Sequence, residues 1–412
     1  MKNEYRIFIW LFSIVFCLFY YYLFIVSGTY LLRHEPKAMD FIAFYTGAKL
    51  LSQSPADLYN LHWQQIVQVN IDPASKINHV FLPFLNPPFV AFLFQIMLPF
   101  TLVNAYNIVL GVNIVLLMLI FVIFKQLNKY LPWYIIGAFI IGATTFVPIM
   151  ISLLVGQTSI FLCVIFLLSW FFLKKGWEFR GGLMLSLILI KPHFFILPLF
   201  AILIQRRITI LAGIVMGAVC LLGISYFLVG WNSMNNYFAL LRVFYDTGTG
   251  YNINLSAQQS IQTLLLIMFH TQNLDQIRFY WIIGILSIII PTLFIWSKKL
   301  PYTSREFALQ FALLIIATLL TSPHTHFYDV SLLLVVIVLV FSQMKKLEQK
   351  KRKVFSGLII LSYFIPLFGY FLFNLQQDSM QGLWVIPTVV FLIIFWLLLV
   401  KDLFSVKGNS VN

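Results

Sequence analysis

Residues 105–124 read AYNIVLGVNIVLLMLIFVIF, twenty in a row without a charge, and the chain turns basic directly afterwards at Lys125 and Lys129. A helix rises about 1.5 Å per residue, so this run reaches about 30 Å, the thickness of a bilayer's hydrocarbon core. Apolar runs of this kind recur from end to end. Of the 412 residues 61% are hydrophobic, 17% aromatic (43 of them Phe) and only 10% charged, against about 25% charged in a soluble domain. Surface-to-volume scaling gives a water-facing globule nowhere to put so much apolar area. A soluble enzyme, a disordered chain and a collagen-like fibre are thereby excluded. The expected fold is all-α: a polytopic transmembrane helical protein, with residues 1–412 as one integral membrane domain and no separate soluble domain.

Lys and Arg exceed Asp and Glu by 27 to 13, a formal charge of +14. In a soluble chain that excess would point to nucleic acid. In a membrane protein it is the Lys/Arg enrichment of cytoplasmic loops, and no nucleic-acid partner is expected. The basic clusters are Lys2 with Arg6, Lys125 with Lys129, Lys174-Lys175 with Arg180, Arg206-Arg207, Lys298-Lys299, and Lys345-Lys346 to Lys353. With all of them cytoplasmic, the N terminus is inside. Residues 28–85, 155–157, 231–278, 322–329 and 374–381 then fall outside. The first apolar run, 6–27, exceeds a signal h-region and lacks a small-residue cleavage site, so it reads as a retained span. Residues 89–100 are too short to cross and read as a re-entrant or interfacial helix. Residues 182–204 have basic clusters near both ends and are interrupted by Lys191-Pro192-His193, which a hairpin of two half-helices satisfies. The count is about ten full spans plus these two partial ones. Cys17, Cys163 and Cys220 lie within apolar runs and read as small buried hydrophobes.

Ionisable residues in or near spans are expensive to keep and are functional candidates by default. Asp40 directly precedes a helix-like run that starts at Phe41. It is a candidate N-cap and equally a candidate catalytic carboxylate; the two roles are compatible. Asp57 reads as a turn or cap residue. Gln157, between two apolar runs, suits either a hydrogen bond to a sugar hydroxyl or a tie between helices. Lys191 sits inside an apolar segment beside a helix-breaking Pro. A buried cation needs a partner, and a lipid phosphate would serve; snorkelling or a neutral Lys is the alternative. Residues 245–260 are rich in amides, hydroxyls and aromatics, which suits a sugar or an ordinary loop. The turn Thr321-Ser322-Pro323-His324-Thr325-His326-Phe327-Tyr328-Asp329 holds two of the seven histidines. Two ligands make a poor metal site, so no metal is expected, and His324 and His326 read as hydrogen-bond donors or cations toward phosphate.

Several of these pieces stand in a familiar order: Asp40-Phe41 with Phe44-Tyr45, Gly47-Ala48, Leu58-Tyr59-Asn60, Asn86-Pro87-Pro88, Gly156-Gln157, Lys191-Pro192, Asn254-x-Ser256, and Ser322-Pro323-His324 with Tyr328-Asp329. In this the chain resembles the polytopic mannosyltransferases of glycosyltransferase family 87, within the GT-C superfamily. It departs from that pattern at Asn86, where an aromatic is common, and at Thr46 and Lys49.

The resemblance implies an inverting hexosyltransferase. It would move a hexose, with mannose the sugar indicated, from a polyprenyl-phosphate carrier to an acceptor hydroxyl on the extracytoplasmic face of the cell membrane. Asp40 in the first external loop (28–85) would be the general base. Lys191, His324 and His326, with Arg33 or His34, would hold the donor phosphate. Tyr45, Gln157, Asn254, Ser256, Tyr328 and Asp329 would contact substrate. The implied partners are membrane lipid, the lipid-linked donor, and a glycolipid or envelope glycan as acceptor, with no further cofactor. Two other classes stay open. A transporter or flippase of lipid-linked saccharides would show broken helices at matching places in two halves, and the break at Lys191 has no clear counterpart. A non-catalytic membrane scaffold would tolerate replacement of Asp40.

Overall fold

The structure is a computed structural model that describes residues 40–71, 81–247, 258–375 and 382–405. The span expected at 6–27, and with it Cys17, lies outside the described residues, as do Arg33, His34, Asn254 and Ser256. The described residues are helical, with no strand among them. The helices are α1 (Phe41–Gln53), α2 (Leu61–Ile71), α3 (Pro88–Phe94), α4 (Leu102–Leu127), α5 (Trp133–Thr144), α6 (Val147–Val155), α7 (Ser159–Lys174), α8 (Glu178–Ser186), α9 (Pro192–Gln205), α10 (Ile208–Thr247), α11 (Ile261–Met268), α12 (Leu274–Trp296), α13 (Arg305–Thr321), α14 (Leu333–Gln343), α15 (Gln349–Leu375) and α16 (Ile386–Ser405).

The all-helical expectation holds, but the expected number of spans does not. Among the described residues six helices are long and apolar enough to cross a bilayer: α4, α10 over Ile208–Val243, α12, Phe327–Lys346, Gln349–Phe373 and Leu383–Ser405. A seventh is reached if α5 and α6, bent by 50° at their junction, count as one. The shortfall has a physical cause. Apolar composition does not distinguish a full crossing from a helix buried in protein. α7, with 16 residues, and α13, with 17, fall short of the ~20 that a crossing needs.

At the centre lies α13, on which every residue from Phe307 to Leu320 is buried. The span Phe327–Lys346 packs beside it with 78% of its apolar window buried. The windows of α4, α10, α12 and α15 are only 28–33% buried. Their outer faces carry residues such as Val103, Val115, Met118, Val219 and Phe279, all exposed. Such faces would be costly in water and are what hydrocarbon accepts.

The segment from α8 to the start of α10 folds back on itself. Glu178, at the start of α8, lies 3.8 Å from Arg207, just before α10. Tyr302 donates to Glu178 at 2.6 Å, and Arg207 donates to the carbonyl of Leu300 at 2.7 Å. Nearby, Arg305 and Lys351 both pair with Asp402. The basic clusters at 206–207, 298–299 and 345–353 therefore gather at one end of the bundle. Small residues let α8 press on α10: a Cβ at Gly182 would lie 2.0 Å from the Ile210 carbonyl oxygen. Between the two half-helices the chain breaks at Lys191 (φ −129°, ψ 86°). At 1.5 Å per helical residue, Lys191 sits roughly 20 Å from the basic end.

The other end carries a small layer of α1, α2 and the extended residues 81–85. Gln64 and Gln68, one turn apart on α2, each clasp one backbone group pair. Gln64 accepts from the Phe84 N–H at 2.8 Å and donates to the Phe84 carbonyl at 3.3 Å. Gln68 does the same at Leu82, at 3.0 and 2.9 Å. Four helical residues advance about 6 Å and two extended ones about 6.6 Å, so the spacings match. Both glutamines are buried and use both ends of their amides, as burial requires.

Candidate functional site

Four segments converge where the outer layer meets the hairpin tip. They are the start of α1, the α6–α7 turn, the tip at Lys191, and the turn at 322–329. Gly156 makes the first two meet. It sits at φ 71° as the left-handed C-cap of α6, and a Cβ there would lie 2.7 Å from the Cβ of Phe41. Only glycine satisfies both the conformation and the contact. The next residue, Gln157, then reaches Asp40 and donates from Nε2 to Oδ2 at 2.6 Å. Asp40 precedes α1 yet makes no side-chain cap, so of its two candidate roles the structural one is not taken up. Its carboxylate faces Gln157 and the Tyr328 hydroxyl instead.

Lys191 and Asp329 form a buried ion pair at 2.6 Å, with side chains 8% and 0% exposed. Every oxygen of Asp329 is engaged: Oδ1 takes Lys191 and the Ser159 hydroxyl at 2.7 Å, and Oδ2 takes the His326 N–H at 3.0 Å. Lys191 also lies 4.8 Å from the centre of the Tyr328 ring, which stacks on His326 at 5.1 Å. The tip is held from outside as well. Asn86 donates to the Ile190 carbonyl at 2.9 Å, and Tyr59 donates to the Asn86 carbonyl at 2.8 Å. Asn86, one of the three departures noted in the sequence, is thus a strut between the outer layer and the hairpin.

These groups line one end of a cavity of about 1150 Å³. Asp40, Gln157, Lys191, His324, His326 and Tyr328 form its polar end, and Ile196, Phe200, Trp281, Ile289 and Leu293 of α9 and α12 form an apolar wall. Ile196 and Phe200 of this wall are themselves exposed, so the wall is not sealed by packing. Burial pushes the Asp40 carboxyl above its ordinary range, and the Gln157 hydrogen bond, His326, Tyr328 and Lys191 pull it partway back. Burial also pulls His324 down to about 4, with His326 adding to the effect. His326 is lowered by burial against the opposing pull of Asp329 and Asp40. Burial thus favours the neutral form of both histidines, which is in keeping with the hydrogen-bond-donor reading of the sequence.

Of the candidates named from sequence, Asp40, Gln157, Lys191, His324, His326 and Tyr328 meet at the cavity. Asp329 lies directly behind it, bonded to Lys191. Tyr45 is directed elsewhere and donates to the Phe100 carbonyl at 2.7 Å. Asp57 accepts from the Ser54 hydroxyl within its own turn. Among the described residues no three His, Cys, Asp or Glu side chains gather as metal ligands. Sequence reasoning missed Ser159, named His193 only as a neighbour of Lys191, and read Gln258, which meets His324 at 3.2 Å, only as part of the polar stretch 245–260. A serine in an apolar helix and a glutamine in a polar loop give no local signal.

Helices long and apolar enough to cross a membrane thus enclose a cavity with a carboxylate and a buried ion pair at one end. The model of glycosyltransferase family 87 matches residues 84–323. That is more than half of the chain, and the chain belongs to this family of glycosyltransferases. The match includes Asn86-Pro87-Pro88, Gly156-Gln157, Lys191-Pro192 and Ser322-Pro323; Asp40 and the residues from His324 to Asp329 lie outside it. Comparison with curated proteins and with solved structures found no match.

Proposed function

We propose that this glycosyltransferase moves a hexose, mannose on the family resemblance, from a polyprenyl-phosphate carrier to an acceptor hydroxyl on the extracytoplasmic side. The observation that carries the reading is the cavity itself: an apolar wall ending at a carboxylate and a lysine. An isoprenoid chain lying along the wall between α9 and α12 would bring its phosphate to Lys191. Lipid tails are as apolar as this wall, so the chain contributes by packing and the polar end orients the donor. The cytoplasmic bias of Lys and Arg assigns the basic end to the inside. The site, roughly 20 Å away, then opens outward.

In this scheme Asp40 takes the proton of the acceptor hydroxyl as its oxygen bonds to the anomeric carbon. The bond from that carbon to the phosphate oxygen breaks, and the prenyl phosphate leaves with the electron pair. Lys191 and the His324 and His326 N–H groups receive the growing charge. Gln157 and the Tyr328 hydroxyl hold the Asp40 carboxylate in place, and the acceptor hydroxyl approaches it from the cavity. Single displacement inverts the anomeric centre. The second carboxylate, Asp329, supports this, since both its oxygens are engaged and it is no candidate nucleophile. No metal enters the scheme.

Transfer of labelled sugar from a prenyl-phosphate donor in membranes, wild type against Asp40→Asn, tests the reading. The amide still accepts from Gln157, so the variant folds, and loss of a general base predicts a 10²- to 10⁴-fold fall in rate. Equal transfer by both proteins would remove Asp40 from the chemistry.

A further inference from the structure

The cavity has a second polar wall that the scheme above leaves idle. Ser322 and His193 both line the cavity, and the Ser322 Oγ and His193 Nε2 atoms are buried without a hydrogen-bond partner. Ser322 is 3% exposed. Its turn is locked: the Thr325 hydroxyl donates to the Leu319 carbonyl at 2.8 Å, and the Gln259 N–H donates to the Thr325 carbonyl at 2.6 Å. His193 stands edge-on to His324 with ring centres 6.2 Å apart. Behind His324 lies the fully buried Gln258, whose Nε2 meets the ring Nδ1 at 3.2 Å. With Nδ1 accepting from that amide, the His324 proton sits on Nε2. Gln258 Oε1 and both amide atoms of Gln259 are buried and unpartnered too.

Buried polar atoms are nearly always paired, and a cluster that is not points to an absent partner. The chemistry of the cluster selects that partner. A phosphate anion offers acceptors only, and an isoprenoid chain offers neither donors nor acceptors. This wall holds a hydroxyl and imidazole nitrogens, groups that can each donate or accept. A ligand with several hydroxyls meets both needs. The wall also begins two residues from Lys191, where a glycosyl unit attached to a bound phosphate would lie.

We infer that Ser322 and His193 make up the subsite that grips hydroxyls of the transferred glycosyl group, beside His324, whose remaining N–H the scheme above directs at the phosphate. This rests on the donor reading given above and adds which residues recognise the sugar as distinct from its phosphate.

Two ligands that differ only in the sugar separate the possibilities: prenyl phosphate and prenyl-phosphate hexose. Their binding to the detergent-solubilised full chain is measured for wild type, Ser322→Ala, Ser322→Thr and His193→Phe. Loss of one neutral hydrogen bond predicts a roughly fivefold to tenfold rise in Kd for the glycosylated ligand. Binding of prenyl phosphate stays within about twofold, and Ser322→Thr, which keeps the hydroxyl, stays near wild type. His193→Phe preserves ring volume, so its result stands even if Ser322→Ala folds poorly. Equal weakening of both ligands would overturn the inference, because the wall would then serve the phosphate or the fold alone. No weakening of either would overturn it as well and leave the wall to water. Wild-type protein that binds neither ligand would instead sink the donor reading itself.

Discussion

Removing the charge of Asp329 isolates what the buried ion pair does. At 2.6 Å the attraction is about 6 kcal/mol for an effective dielectric of 20. Taking both groups out of water cancels much of it, so the intact pair adds little net stability. Breaking it is another matter, because Lys191 stays behind as an uncompensated charge at a cost of about 3–5 kcal/mol. Asp329→Asn adds a hydrogen-bonding loss. The carboxylate accepts on both oxygens, from Lys191 and Ser159 on one side and from the His326 N–H on the other. An amide can accept on one side only. Lys191→Met should cost a comparable amount by stranding Asp329. In Lys191→Met with Asp329→Asn neither charge is stranded, and the double variant should recover at least about 2 kcal/mol relative to the sum of the singles. Unfolding of the four proteins in detergent completes the cycle. Transfer separates the roles: Lys191→Met and the double variant lose donor use, while the folded fraction of Asp329→Asn binds donor no more weakly than wild type. Additive stabilities would refute the coupling. A donor defect confined to Asp329→Asn would return Asp329 to the substrate-binding role that the sequence resemblance implies.

Replacing Gln157 by Ala removes a hydrogen bond that holds the Asp40 carboxyl down, so that group rises further. A base works only when deprotonated, so the acidic limb of kcat/KM should move to higher pH, with most of the rate restored above it; an unmoved limb would make Gln157 a substrate contact instead. Gly156→Ala places a methyl 2.7 Å from the Phe41 Cβ at a left-handed φ and should cost about 1–3 kcal/mol. It should also lower transfer by pushing α1 off the α6–α7 turn, so a variant of normal melting temperature and full activity would contradict the geometry.

The all-helical membrane fold was legible because apolar runs of bilayer length have few other uses. The hairpin was legible at Lys191-Pro192, where a charge and a helix breaker interrupt an apolar segment bounded by basic residues. The span count was not, because α7 is as apolar as a crossing helix and is stopped from being one by length and neighbours alone. At the site, Asp40, Lys191 and the histidines stood out as ionisable groups in apolar surroundings. Which of them pair did not, because Lys191 and Asp329 are 138 residues apart and no local pattern links them. Gln64, Gln68 and Asn86 carry backbone struts, and in sequence they are ordinary polar residues of a loop.

The pairing changes how the donor phosphate is received. Lysine with two protonated histidines would have been a standing cluster of three cations, and assembling it without an anion would cost several kcal/mol in repulsion and desolvation. The lysine is instead balanced by Asp329, and burial favours the neutral form of both histidines. On the proposed reaction an arriving phosphodiester reverses the balance. Its negative charge favours the protonated form of a nearby imidazole, and His326, which lacks the Gln258 contact that His324 makes, is the one free to respond. The leaving prenyl phosphate gains a further negative charge, which strengthens that pull at the moment the glycosidic bond breaks. Donor binding should then take up a proton: measured by calorimetry in buffers of different ionisation enthalpy near pH 6, wild type gains up to one per donor and His326→Asn gains none. Equal uptake by both proteins would place the charge response elsewhere in the cavity.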